Sequence, residues 1–247
     1  MTESTPAETT QPLPLVSRIV GVITSPKATF ENVVAAPRPF GILLVVAAVI
    51  AIASSIPGFT AEGRRAAIDA QVKGMEQFGQ TVTPEMRERM EQTAASPIVR
   101  GVSLLAAFVI LPIFALFFAA LYWAAFNTVL GGTATFKQVL AIVTHAQVIG
   151  AVAVLVGLPI QLMQGTVSMA GPFNLGALAP GLEEGSTLAR FLGSISVFTL
   201  WGQVVTGIGL GVLYKRSGRN IAIVLIVLLL LFMFGVTSLV GSFMGRS

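Results

Sequence analysis

The side chains that could carry chemistry inside a membrane are few in this sequence: amides, hydroxyls and one imidazole. His145, the only histidine, lies in an apolar stretch and is followed two residues later by Gln147. Along a helix rising ~1.5 Å per residue, Gln147 would lie ~15 Å from Lys137. By the same measure Gln203 would lie ~17 Å from Tyr214, on a later apolar stretch. These similar depths predict one intramembrane polar cluster, made of His145, Gln147, Gln203 and Thr206.

Such a cluster could hold helices together, or it could bind a substrate or relay protons. Hydrogen bonds between helices in hydrocarbon contribute roughly 0.6–2 kcal/mol each to helix association. A protein that moves protons or cations usually keeps an acid in its spans, because intramembrane charge is costly and is retained for function. The long apolar stretches of this chain contain no Asp or Glu. We therefore favour the structural role for the cluster and keep a substrate site as the alternative.

Catalytic and cofactor chemistry finds little support in the sequence. The chain has no cysteine and one histidine, which excludes disulfides, iron–sulfur clusters and thiolate metal sites. Phosphate-binding glycine motifs, a dinucleotide fingerprint and paired catalytic carboxylates are also missing. We expect no catalytic residue, no cofactor and no metal, and therefore no enzyme.

The composition identifies the class of protein. Of 247 residues, 54% are hydrophobic and 11% are charged, whereas soluble domains carry about 25% charged residues. Mean hydropathy is +0.84. The sequence therefore predicts an all-α integral membrane protein.

Five apolar stretches are long enough to cross a bilayer. They predict a bundle of five transmembrane helices, and Pro112 inside the second predicts a kink. The hydrophilic segment 61–96 predicts two extracytoplasmic helices, the second starting at Thr83-Pro84-Glu85, which pack on the bundle or act as a lid or docking element. The predicted spans are 40–57, 102–130, 138–162, 188–214 and 221–241.

The N-terminal region precedes the first span. Residues 1–12 are polar and predict a disordered tail, and residues 13–247 predict a single membrane domain. Ser25-Pro26 is typical of a helix start. This helix either packs on the bundle or lies on the membrane surface, with Arg18 and Lys27 at the lipid headgroups.

Basic residues mark the cytoplasmic side of membrane proteins. The short segment 215–219 holds Lys215, Arg216 and Arg219, whereas the segment between the third and fourth spans holds Glu183 and Glu184. This asymmetry predicts a cytoplasmic N-terminus, an extracytoplasmic C-terminus and headgroup contacts at these three cations. The scattered basic residues do not form a nucleic-acid footprint.

Glycines 207, 209 and 211 allow close helix packing, either within the chain or in a homodimer.

Three stretches together resemble the Yip-domain family of membrane proteins, named for interaction with Ypt/Rab GTPases. They are SPKATFENV (25–33), GGTATFKQVL (131–140) and VFTLW (197–201), the last followed by KRSGR (215–219). The resemblance implies a five-helix bundle with a cytoplasmic N-terminus, and this chain is similar to the compact bacterial members. Those members often carry an aspartate just before the VFTLW position, where this chain has Ser196.

The resemblance and the residues lead to one functional expectation and one alternative. We expect a non-enzymatic protein of a bacterial cytoplasmic membrane, acting in membrane organisation or trafficking-like scaffolding through lipid and protein contacts. Its partners would be the lipid bilayer and a membrane protein or a second copy of the chain. The alternative is a small permease or permease subunit with a polar site at mid-membrane.

Overall fold

A computed structural model of the protein describes residues 11–77, 80–167, 170–179, 181–183 and 186–244. Within these ranges the secondary structure is helical apart from turns and one isolated β-bridge. The all-α prediction is confirmed. Residues 1–10 of the predicted disordered tail lie outside the described residues. The helices, numbered in chain order, are α1 Leu15–Thr24, α2 Pro26–Ala35, α3 Pro39–Ser55, α4 Ala61–Gln77, α5 Pro84–Ala95, α6 Pro97–Leu130, α7 Phe136–Ala146, α8 Val148–Gln164, α9 Thr187–Gly193, α10 Val197–Tyr214 and α11 Gly218–Met244.

In the part of the chain that the structure describes, five helical segments are long and apolar enough to cross a membrane, as the sequence predicts. Each contains one of the predicted spans or its main part. The second runs unbroken through Pro112. The observed segments are Pro39–Phe59, Pro97–Val129, Phe136–Gln164, Val197–Tyr214 and Gly218–Leu239.

Two predicted spans are interrupted. The third consists of α7 and α8, which meet at Gln147. The fourth was predicted as one helix over 188–214, and this is wrong: α9 ends at Gly193 and α10 begins at Val197. The strand-like segment between them pairs with the preceding loop, because Leu175 N donates to Ile195 O and Val197 N donates to Phe173 O. These backbone bonds compete with a continuous helix, and hydrophobicity alone does not reveal them.

Helix α7 lies at the centre of the bundle and contacts α2, α3, α6 and α10. Its residues from Val139 to Ala146 are buried on all sides. Thr135 and Gln138 form a capping box at its start, in which each side chain bonds the other's backbone N–H. Gln138 Nε2 also donates to Val34 O, 3.3 Å away, and so joins α7 to the end of α2.

Helices α10 and α11 pack closely against each other, and glycine makes this possible. A Cβ at Gly207 would lie 2.6 Å from Ala222 N, and a Cβ at Gly211 would lie 2.6 Å from Gly218 Cα. A Cβ at Gly209 would meet Ile142 and Phe30. All three glycines therefore serve packing within the chain, which decides between the two uses that the sequence left open.

The N-terminal helices α1 and α2 form an antiparallel hairpin against the bundle. Asn32 joins its open ends, because its side chain accepts from Leu13 N and donates to Gln11 O, both at 3.0 Å. Phe30 and Val33 of α2 are fully buried. Ser25 precedes α2 as predicted, but its side chain makes no capping bond; its carbonyl accepts from the Thr29 hydroxyl instead.

The predicted hydrophilic helices are present as α4 and α5. The Thr83 hydroxyl accepts from Met86 N and caps α5. Beside it, hydrogen bonds from the Glu85 backbone and from Thr83 lower the pKa of the Glu85 carboxyl. Arg87 of α5 pairs with Asp69 of α4, and Ile68 is buried under the pair of helices. Helix α4 contacts the short turn Ile56–Phe59 that ends the first span, and α5 contacts α6, so the described parts of this segment pack on the bundle.

Two tight turns, one between α6 and α7 and one between α10 and α11, lie with the N-terminal hairpin at one end of the bundle. Tyr214 OH donates to Asn127 Oδ1 at 3.0 Å, which joins the end of α10 to the end of α6. The bond from Gln138 to Val34 adds the hairpin to the same end. We call this the basic end, after its exposed cations Lys27, Arg38, Lys137, Lys215, Arg216 and Arg219.

Candidate functional site: a buried arginine, an intramembrane cavity and the basic end

Arg18 faces the interior of the protein. It is 6% exposed, and its Nη1 lies 3.3 Å from His145 Nε2 and 3.3 Å from Arg38 O. This corrects the prediction that Arg18 contacts lipid headgroups. The outer face of α1 is apolar instead, with Val16 at 70% and Val20 at 51% exposure. An apolar outer stripe suits α1 to hydrocarbon, and the arginine lies on the opposite face.

The imidazole of His145 is held by two bonds. Its Nδ1 lies 2.6 Å from Ala141 O, a carbonyl that can only accept a hydrogen bond. Nδ1 therefore carries the proton, and Nε2 is left as the acceptor for the Arg18 guanidinium. His145 is fully buried and close to the backbone of Arg38, at the start of the first span. Through Arg18, it joins the N-terminal hairpin to the bundle.

The buried guanidinium carries a charge without a bonded carboxylate among the described residues. Burial, with a smaller contribution from the positive charge of Arg38, lowers the pKa of Arg18. Its Nε also lacks a hydrogen-bond partner. The neutral imidazole and the Arg38 carbonyl are therefore the groups that stabilise this cation.

Three members of the predicted cluster, Gln147, Gln203 and Thr206, line one cavity, and His145 does not. The cavity has a volume of about 760 Å³ and is walled by α3, α6, α7, α8, α10 and the loop after α8. The two amides both line it, and so does Thr206, whose hydroxyl donates to Gly202 O. The described structure contains no bond between Gln147 and Gln203. The carboxamide oxygen of Gln147 is buried and has no hydrogen-bond partner.

The remaining predicted headgroup residues lie exposed at the basic end. Lys27 is on the outer face of α2, and Lys215, Arg216 and Arg219 surround the turn between α10 and α11. Lys215 ends α10 in the left-handed conformation, with φ of 51°. This geometry makes a sharp turn, so the three cations stay close together.

Two features of the site were not predicted from the sequence. The inward position of Arg18 has a signal in the sequence: Val16, Val20 and Ile23 recur at helical spacing opposite Arg18. The loop that closes the cavity, with Pro172 and Phe173, has no comparable periodic signal. No group of three or more His, Cys, Asp or Glu side chains suited to a metal occurs among the described residues.

Comparison with known proteins decides the family. Residues 20–239 match the Yip1 domain. The chain belongs to the Yip1 domain family. This Yip1-domain protein is also similar to membrane protein YknW of Bacillus subtilis (strain 168), with 28% identity over 218 residues, which is 87% of each chain. No solved structure matches the chain. The family resemblance and the membrane location predicted from the sequence are confirmed.

In this Yip1-domain protein Ser196 has a local structural role. It is 7% exposed and forms the β-bridge with Asn174. Its hydroxyl accepts a hydrogen bond from Phe198 N at the start of α10. Aspartate and serine are both favoured as helix N-caps, so an aspartate here could cap the helix in the same way. Helix capping is therefore sufficient to explain a polar residue at this position.

Proposed function

We propose that this Yip1-domain protein is a non-enzymatic organiser of a bacterial cytoplasmic membrane. It would gather anionic lipids at its basic end and contact lipid or another membrane protein along its spans. The observation that carries the proposal is the set of exposed cations at this end. Among the described residues of the basic end, the only acid beside them is Glu31 on α2.

Electrostatics supports a lipid role for this end. Each Lys or Arg near an anionic membrane surface contributes about 1 kcal/mol of attraction. The attraction falls off within about 10 Å at moderate salt.

The orientation is part of the proposal. Positive residues accumulate on the cytoplasmic side, so the basic end would face the cytoplasm and the C-terminus would lie outside. A cysteine-reactive, membrane-impermeant label on Ser247→Cys in intact cells should react readily. The chain has no other cysteine, so labelling only after lysis would contradict this orientation.

Lipid retention tests the proposed function. Purified protein should keep more phosphatidylglycerol than phosphatidylcholine through delipidation, as counted by native mass spectrometry. The triple variant K215Q/R216Q/R219Q should lose most of this preference. The matched control R65Q/K73Q/R89Q removes three exposed cations from the opposite end and should keep it. Equal loss in both variants would show a non-specific charge effect and would overturn the proposal.

A permease role is the second candidate, and the cavity is the observation that favours it. Gln147, Gln203 and Thr206 line one intramembrane space. Uptake of a water-soluble solute by purified protein in liposomes, lost in Gln147→Leu, would favour this candidate. Crosslinking in native membranes with mass spectrometry would instead show a protein partner or a second copy, as the organising role expects.

A further inference from the structure

The intramembrane cavity has a composition that points to a class of ligand. Among the described residues, the lining includes no Asp, Glu, Lys, Arg or His. Moving a charged group out of water is costly unless an opposite charge meets it. A ligand inside this cavity is therefore uncharged over the part that it inserts. The volume of about 760 Å³ lies within the range of about 300–1,000 Å³ that is typical of small-ligand sites.

Polar groups on two facing helices give this apolar space its hydrogen-bonding capacity. Gln147 stands where α7 meets α8, and Gln203 and Thr199 stand on α10. The carboxamide oxygen of Gln147 is buried without a hydrogen-bond partner, and a buried polar atom is costly to leave unsatisfied. A half-turn of the carboxamide exchanges its oxygen and nitrogen. A ligand hydroxyl could therefore bond to this side chain, donating to the oxygen or accepting from the nitrogen.

Two residues of the cavity wall point to an opening toward the lipid bilayer. Gly150 of α8 and Phe118 of α6 both line it and are both exposed. Both lie within membrane-spanning segments. The ligand that meets such an opening is a molecule dissolved in the membrane, which has an apolar body.

We propose that this cavity binds an uncharged, hydroxyl-bearing lipid of the diacylglycerol class. Its acyl chain occupies the apolar space between α6 and α8, and its hydroxyl bonds the carboxamides of Gln147 and Gln203. The site is separate from the basic end, so it stands or falls independently of the proposed binding of anionic lipids.

Photolabelling of the full-length protein tests the proposal. The probe is a diacylglycerol with a diazirine in one acyl chain, used in phosphatidylcholine nanodiscs, with labelled peptides mapped by mass spectrometry. We expect labelling on α8 and α10. An equally diazirine-bearing phosphatidylglycerol should label these peptides about tenfold less, as expected for a difference of ~1.4 kcal/mol. Equal labelling by the two probes would overturn the assignment to an uncharged lipid.

Cavity-filling variants make the test specific. A Cβ at Gly202 meets nothing within 4 Å, and one at Gly150 meets only Ile50 at 3.8 Å. Gly202→Leu and Gly150→Leu should therefore fold and should each reduce labelling. Gly101→Leu is the matched control, because a Cβ there is also free and it lies outside the cavity. Labelling that persists in both filling variants, with thermal stability intact, would refute the site.

A separate experiment tests whether the carboxamides of Gln147 and Gln203 recognise the ligand hydroxyl. The wild-type protein should prefer diacylglycerol over its acetylated form, which lacks the hydroxyl donor. The double variant Q147L/Q203L should label with both forms equally. If the double variant retains the preference, the hydroxyl is not recognised by these carboxamides and the proposal is wrong in its chemistry.

Discussion

At the residue scale, the pair of Arg18 and His145 is the interaction with the clearest energetic consequence. Arg18→Met should destabilise the protein by about 1–3 kcal/mol, because His145 Nε2 is left buried without a donor. The double variant R18M/H145L should be less destabilised than the sum of the single variants, since it removes both polar partners. The free energies of unfolding of the wild type, the two single variants and the double variant, measured by reversible unfolding in mixed micelles, form a double-mutant cycle that tests this. Additive effects would show that the two side chains do not interact.

The positions of some site residues follow from the local sequence, and those of others do not. Gln147, Gln203 and Thr206 share a cavity because their depths along the helices agree, and depth can be counted from the sequence. His145 has nearly the same depth as Gln147 but faces α1, because two residues along a helix correspond to roughly opposite faces. The placement of Arg18 depends on which face of a short helix meets the bundle. That orientation is set by tertiary packing.

At the element scale, the packing of α10 on α11 depends on glycine at defined positions. Gly207→Ala should lower the thermal stability clearly, because the new Cβ would lie 2.6 Å from the backbone of Ala222. Gly202→Ala, on the same helix with open space at its Cβ, should be neutral or slightly stabilising, by up to about 1 kcal/mol. Thermal unfolding in detergent compares the two. Equal stabilities would mean that α10 and α11 are not packed this closely.

The elements also show how far hydrophobicity predicts this fold. The five spans, the capping of α5 by Thr83 and the tight turn at Lys215 follow from apolar length, caps and charge. The interruption after Gly193 does not, because the residues on both sides are equally apolar. It depends on Phe173 and Leu175, whose backbone groups bond across to the segment before α10. Hydrogen bonds between residues so far apart in the chain cannot be predicted from the hydrophobicity of a single stretch of sequence.

At the scale of the whole molecule, the protein has two chemically different regions. One end carries exposed cations from α2 and from both tight turns, and the centre of the bundle holds an uncharged cavity. Large parts of α6 and α11 are exposed apolar surface, as for helices that face lipid. If both proposals hold, this arrangement would separate anionic headgroups at the surface from an uncharged lipid inside. It fits a protein that organises lipids better than one that conducts ions.

Trp123 allows the most direct measurement of the central claim, that the basic end gathers anionic lipid. It is 39% exposed, and its Nε1 donates to Ala134 O in the turn at the basic end. In Trp201→Phe it is the only tryptophan, since the chain has two. Its fluorescence in bilayers should be quenched more strongly by brominated phosphatidylglycerol than by brominated phosphatidylcholine, and K215Q/R216Q/R219Q should abolish the difference. Equal quenching by the two lipids in the parent protein would contradict the account.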